Sequence, residues 1–103
     1  MTIQAYVLFK VGSGTEREVC KKISDYDEVL VTGIIYGEYD VIAKISVTDM
    51  QALEEFLSVK IRKVPSVLVT STMIIAREYK GINQRIKNSE QKKFLVAKKK
   101  EIA

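Results

Sequence analysis

The stretch from Val29 to Val47, read VLVTGIIYGEYDVIAKISV, restricts the fold more than any other part of this chain. Two runs rich in β-branched residues flank Gly37-Glu38. Glycine at the first of two central positions predicts a type II′ hairpin turn, whose twist matches the strands it joins. Such a turn fixes a register: Tyr36 opposite Tyr39, Ile35 opposite Asp40, Gly33 opposite Ile42, and Val31 opposite Lys44. Leu30, Thr32, Ile34, Tyr36, Tyr39, Val41, Ala43 and Ile45 then share a core face. The opposite face mixes Val29, Val31, Ile35 and Ile42 with Asp40, Lys44, Ser46 and the bare backbone of Gly33. A face of that kind is suited to a partner or a ligand rather than to plain solvation.

The hairpin sits inside a longer pattern. Ile3–Val11 alternates as a first strand. Gly12-Ser13-Gly14 ends it, and Thr15-Glu16-Arg17-Glu18 reads as a capping box opening a helix with Val19, Cys20 and Ile23 on its apolar edge. Val29–Tyr36 and Tyr39–Val47 are strands two and three. Thr48-Asp49-Met50-Gln51 reads as a second capping box, and Leu53, Phe56 and Leu57 follow at helical spacing, so helix two extends to about Ile61. Pro65 excludes helix at Val64, and Val67–Arg77 is strand four. The order β-α-β-β-α-β, with right-handed crossovers, gives an α+β ferredoxin-like sandwich with both helices on one face of an antiparallel sheet.

Two helices cover one sheet face only, yet strands one, two and four are apolar on both. Ile3, Val7 and Phe9 oppose Tyr6 and Leu8; Val67, Val69, Met73 and Ile75 oppose Leu68, Ile74 and Ala76. A sheet open to water alternates cleanly, so the second face is an interaction surface. A second copy packed sheet to sheet, as in a dimeric α/β barrel, is the economical cover. A chain of 103 residues buries only a modest share of its unfolded surface, which makes association a natural source of stability.

Composition removes several classes of chemistry. There is no histidine and one cysteine, Cys20, which excludes histidine-based acid–base schemes, histidine-ligated haem and ordinary zinc sites. No catalytic residue, metal site or cofactor is expected. No apolar run approaches the ~20 residues of a membrane span, and the N-terminal residues lack the pattern of a secretory signal. A single cysteine adds to the expectation of a reducing, cytoplasmic setting. Charge is divided: residues 1–79 hold nine basic and eleven acidic residues, and residues 80–103 hold eight basic and two acidic. The chain is therefore expected to comprise a binding and oligomerisation domain over 1–79 and a basic extension over 80–103. In that extension Phe94, Leu95 and Val96 anchor a short helix or the segment stays disordered, and Lys92-Lys93 and Lys98-Lys99-Lys100 form either a solvated terminus or a nonspecific phosphate-binding run.

The β-α-β-β-α-β pattern, the Tyr36-Gly37-Glu38-Tyr39-Asp40 hairpin, Val64-Pro65-Ser66-Val67 and Thr70-Ser71-Thr72 together resemble a known family. Over about residues 1–79 the chain is similar to the effector domain of the leucine-responsive/asparagine-responsive (Lrp/AsnC) regulators, the RAM domain, for regulation of amino acid metabolism. The resemblance departs at Ser66, where a glycine is often found, and in the long lysine-rich extension. It implies amino acid binding between dimers, dimers formed through the sheets, and rings of dimers such as octamers. A chain that begins at strand one looks like the stand-alone members without a DNA reader. That implies no sequence-specific DNA contact of its own and co-assembly with full-length relatives.

On this reading Tyr36, Gly37, Tyr39 and Asp40 contribute to an amino acid pocket, joined by Thr70, Ser71 and Thr72 as the family's strand-four hydroxyls. Asp40 would take the ligand's ammonium, backbone near Gly37 its carboxylate, and Tyr36 or Tyr39 its side chain. Each residue also has a plain structural reading. Gly37 serves a tight turn; Asp40 caps the hairpin or pairs with a lysine; Tyr36 and Tyr39 form a cross-strand pair; the threonines satisfy strand propensity. Gly33 marks a bulge or a close approach, and Cys20 is an inert core side chain. Three other uses of this topology compete. A dimeric α/β-barrel enzyme needs a deep pocket containing Asp40 and Lys44. An RNA-recognition domain needs strand-three aromatics and a basic sheet, neither of which is present. An ACT-like domain would bind an amino acid with similar chemistry.

Overall fold

A computed structural model describes residues 2–86 of the chain. Its elements are β1 (Ile3–Val11), α1 (Glu16–Ser24), β2 (Val29–Ile34), β3 (Val41–Val47), α2 (Met50–Glu55) and β4 (Val67–Ile74). The four strands form one antiparallel sheet in the order β2-β3-β1-β4, the ferredoxin-like arrangement expected. Residues 82–86 add a short helical turn. The expectations for Phe94, Leu95, Val96 and the later lysines lie outside the described residues.

The core follows from alternation on the two central strands. Ala5, Val7, Phe9 and Val11 of β1 and Val41, Ala43, Ile45 and Val47 of β3 are buried beneath Val19 and Ile23 of α1 and Leu53 of α2, with Phe56 and Ile61 beyond it. Phe9 and Phe56 are the largest fully buried side chains; removing either to alanine costs about 3–5 kcal/mol.

After Glu55 the helical path loosens into a π-turn over Phe56–Lys60 and then a 3-10 turn over Ile61–Lys63. The Ile61 N–H donates to the Phe56 carbonyl. An i→i+5 closure puts residues five apart on the same side, so both Phe56 and Ile61 reach the core. The π-turn is fastened from outside. The Tyr26 hydroxyl donates to the Lys60 carbonyl at 3.1 Å, the Tyr26 ring meets Phe56 edge-on at 5.9 Å, and the Lys60 ammonium reaches both Glu28 oxygens at 2.7 and 3.0 Å. Burial pushes the Glu28 carboxyl up, but the hydrogen bond and charge of Lys60 outweigh it and hold the group below the ordinary carboxylate range. The same hydrogen bond raises Lys60.

Several local expectations change. Thr15 does not cap α1: its hydroxyl donates back to the Gly12 carbonyl, and its backbone is not extended as a capping residue requires. Asp49, not Thr48, caps α2, accepting from the Ala52 N–H at 2.8 Å. Strands two, three and four stop short of Tyr36, Tyr39 and Arg77. The hairpin register is as expected, with Val31 opposite Lys44 and Gly33 opposite Ile42, but the turn is not type II′. Its innermost bond runs from the Ile35 N–H to the Asp40 carbonyl, leaving Tyr36–Tyr39 as a four-residue loop. Gly37 has φ +154°, far from the value near +60° of that turn position.

A bulge between Val29 and Val31 alters the face of β2. Val29, expected on the outer face, packs against the core, whereas Leu30, expected inside, is 55% exposed. Ile34, on the edge strand, is also half exposed. The opposite sheet face is as apolar as expected: Tyr6, Val31, Val69 and Met73 are exposed, and Leu8 and Ile42 are half-buried between them.

Candidate functional site

In an antiparallel β-α-β-β order, the end of β1 and the β2–β3 hairpin lie at the same end of the sheet. Asp40 joins them. Its backbone N–H donates to the Phe9 carbonyl at 2.9 Å, and its Oδ2 accepts from the Val11 N–H at 3.0 Å. The Val11 N–H points to the β3 side of β1, beyond Val41 where β3 begins opposite Phe9, so a side chain supplies the acceptor that a strand would otherwise provide. Among the described residues the other carboxylate oxygen, Oδ1, has no partner.

Beside Asp40 the hairpin and the start of α1 enclose an open cleft of about 630 Å³. Ile34, Ile35, Tyr36 and Asp40 form one wall; Gly14, Glu16, Arg17 and Glu18 form the other. Apolar surface, a tyrosine and charges of both signs therefore line one space. The Glu16 carboxylate accepts from the Gly14 N–H at 3.3 Å, which steadies the loop side. Arg17 is exposed, with no ion pair among the described residues.

The expected site residues divide into three groups. Tyr36 and Asp40 line this cleft. Gly37 and Tyr39 stand next to them in the loop; Tyr36 is fully exposed, whereas Tyr39 is half-buried with the Lys10 ammonium 5.7 Å from its ring centre. The two tyrosines thus do not form the expected cross-strand ring pair. Thr70, Ser71 and Thr72 lie on β4, separated from the hairpin by β1. Thr70 and Thr72 oppose the core-side residues Phe9 and Val7, while Ser71 opposes Leu8 on the open face, so the three hydroxyls do not share a side. Arg17, Glu16 and Gly14 escaped sequence reasoning because they read only as a helix start. The strand order carried the signal, since it brings the β1–α1 loop beside the hairpin.

Asp40 and Lys44 do not share a pocket, as the barrel-enzyme reading requires. Lys44 lies in a separate cleft of about 520 Å³ with Glu78, Tyr79 and Gln84, where its ammonium is ion-paired to the Glu78 carboxylate at 2.5 Å. That hydrogen bond raises Lys44 further. Cys20 is half-buried and unpaired, and burial pushes its thiol up, as suits an inert side chain. Among the described residues no cluster of metal-ligating side chains occurs, and no helix is long and apolar enough to cross a membrane.

Comparison with known proteins agrees with the fold. The profile of the Lrp/AsnC ligand-binding domain matches residues 4–84. The HTH-type transcriptional regulator FL11 of Pyrococcus abyssi is 34% identical over 76 residues, covering 74% of this chain and 50% of the regulator. The chain thus spans about half the length of the curated relatives it matches. The crystal structure of a hypothetical protein of Pyrococcus horikoshii superposes with a TM-score of 0.69 at 39% identity, covering 77% of this chain and 94% of that one. A transcriptional regulator of Neisseria meningitidis, solved as a complex with L-methionine, shares the fold with a TM-score of 0.69 at 22% identity, covering 77% of this chain and 53% of that one.

Proposed function

The chain belongs to the Lrp/AsnC family, and from that premise we propose that it is an effector-binding module that takes a free amino acid in the cleft between the hairpin and α1. The observation that carries this reading is the presence of opposite charges in a cleft that also offers apolar surface. A zwitterion needs a cation for its carboxylate and an acid for its ammonium. Arg17 supplies a planar guanidinium that can grip a carboxylate through two hydrogen bonds. Asp40 supplies the Oδ1 oxygen that Val11 leaves open. Tyr36 and Ile34 bracket the ligand side chain, and Gly37 and Tyr39 form the rim. Thr70, Ser71 and Thr72 stand outside the proposed site.

The module acts without its own chemistry. Ligand binding at the hairpin alters how copies associate through the apolar sheet face, and that association modulates transcription by regulators of the same family. The L-methionine held by the Neisseria relative supports an amino acid as the ligand class. The curated relatives, being transcriptional regulators, support the setting.

A thermal-shift screen of the twenty amino acids, one at a time at millimolar concentration, tests the reading. A ligand of the native state raises the melting temperature with concentration. Asp40→Asn and Arg17→Gln should each remove the shift. No response to any amino acid, or a response both variants retain, overturns the proposed site.

A further inference from the structure

The cleft between the hairpin and α1 holds more negative charge than the backbone of a free amino acid can use. Three carboxylates, those of Glu16, Glu18 and Asp40, share it with one guanidinium, that of Arg17. A bound amino acid engages Arg17 with its carboxylate and Asp40 with its ammonium. Two acids are then left for its side chain. Glu16 is partly occupied, since it accepts from the Gly14 N–H at 3.3 Å. Glu18 makes no hydrogen bond or ion pair among the described residues.

Glutamates in the first turn of α1 also suit the positive end of the helix, whatever the cleft holds. The ring across from them has no such reading. Tyr6, Tyr26 and Tyr39 each have a lysine of this chain over the ring, at 5.9, 5.7 and 5.7 Å from its centre. Tyr36 lines the cleft, is fully exposed, and has no cation over its ring among the described residues. An open aromatic face and a free carboxylate in one space are the groups that recognise an organic cation. Ile34 and Ile35 add apolar surface there, which suits the methylene stem that carries such a charge.

Resting on the reading that a free amino acid occupies this cleft, we propose that the cleft selects a cationic side chain, that of lysine or arginine. Glu18 and the Tyr36 ring receive its charge. A neutral apolar side chain would cover Glu18 without giving it a partner, which costs solvation. An acidic side chain would meet like charge. Glu18 is exposed in the empty cleft, so the preference is moderate, roughly tenfold.

Isothermal titration calorimetry of the full chain reads the side-chain charge apart from the amino acid backbone. L-citrulline matches L-arginine in shape but carries no side-chain charge, and L-norleucine is L-lysine without its ε-ammonium. The charged member of each pair is expected to bind roughly tenfold tighter. Glu18→Gln should bring the members of each pair level, Tyr36→Leu should narrow the gap, and Glu18→Lys should turn the preference toward L-glutamate. Citrulline and norleucine binding as tightly as arginine and lysine overturns the selectivity and leaves the amino acid reading standing. A preference that both Glu18→Gln and Tyr36→Leu retain in full overturns the assignment to these residues. No binding of any amino acid defeats the underlying reading, and the selectivity with it.

Discussion

Asp40 and Val11, 29 residues apart in sequence, are joined by a 3.0 Å hydrogen bond from backbone N–H to carboxylate. The contact ties the candidate site to the end of β1, so Asp40 has a structural task and a proposed binding task at once. The two separate by substitution. Asp40→Asn keeps a carbonyl oxygen for Val11 and should melt close to wild type while losing amino acid binding. Asp40→Ala leaves the Val11 N–H without its acceptor and should cost about 1–2 kcal/mol in chemical denaturation. Equal destabilisation by both variants would show that charge, not the hydrogen bond, holds this junction.

The Glu28–Lys60 pair predicts a pH dependence. Glu28 titrates below its ordinary value of 4.5 in the folded chain. Its contribution is therefore complete above that value and is lost as pH falls through the lower folded one. Lys60 is raised above its ordinary 10.5, so its share is complete below that value and fades as pH rises through the folded one. Glu28→Gln should be less stable than wild type near neutral pH, and the gap should close in acid. Denaturation midpoints measured across the acid range give the comparison. A gap that persists below both values assigns the effect to packing.

Much of this arrangement was legible from the residues. The hairpin register could be read because a slip of one residue would carry Val41, Ala43 and Ile45 out of the core. The open apolar face could be read from strands lacking clean alternation. The exposure of Leu30 could not, because it depends on a bulge that period-two patterning does not encode. The role of Asp40 was legible only as one of several options, since its partner is remote in sequence. Arg17 was missed because its neighbourhood in the cleft exists only once two loops meet.

Glycine tolerance should differ between two positions. Gly37 has φ +154°, a conformation other residues rarely adopt, so Gly37→Ala should cost about 1 kcal/mol. At Gly33 an added methyl group would meet only Ile42 Cγ2, at an ordinary 3.8 Å. Gly33→Ala should leave the melting temperature of the dilute protein unchanged or slightly raised. The same loss at both positions would mean that the hairpin is limited by backbone stiffness rather than by the loop conformation.

The open sheet face should fail under charge. Val31 is 59% exposed in a single copy and stands next to Lys44 and Ile42 on that face. Val31→Glu should weaken self-association roughly tenfold or more, because it removes an apolar contact and buries a carboxylate. Sedimentation over a dilution series measures the change. A variant that associates as strongly as wild type would move the contact off this face.

The π-turn at Phe56–Lys60 also makes the chain sensitive to length. Removing any one residue there would let the backbone relax into an ordinary α-helix. Phe56 and Ile61 would then stand four apart and still share the core face, whereas one added residue would turn every later side chain by about 100° and carry Ile61 from the interior toward water. Substitutions on the outer face of this turn are cheap, but its residue count is not. A lineage that kept its chemistry here could drift freely in identity and lose the extra residue of the turn, but could not gain another.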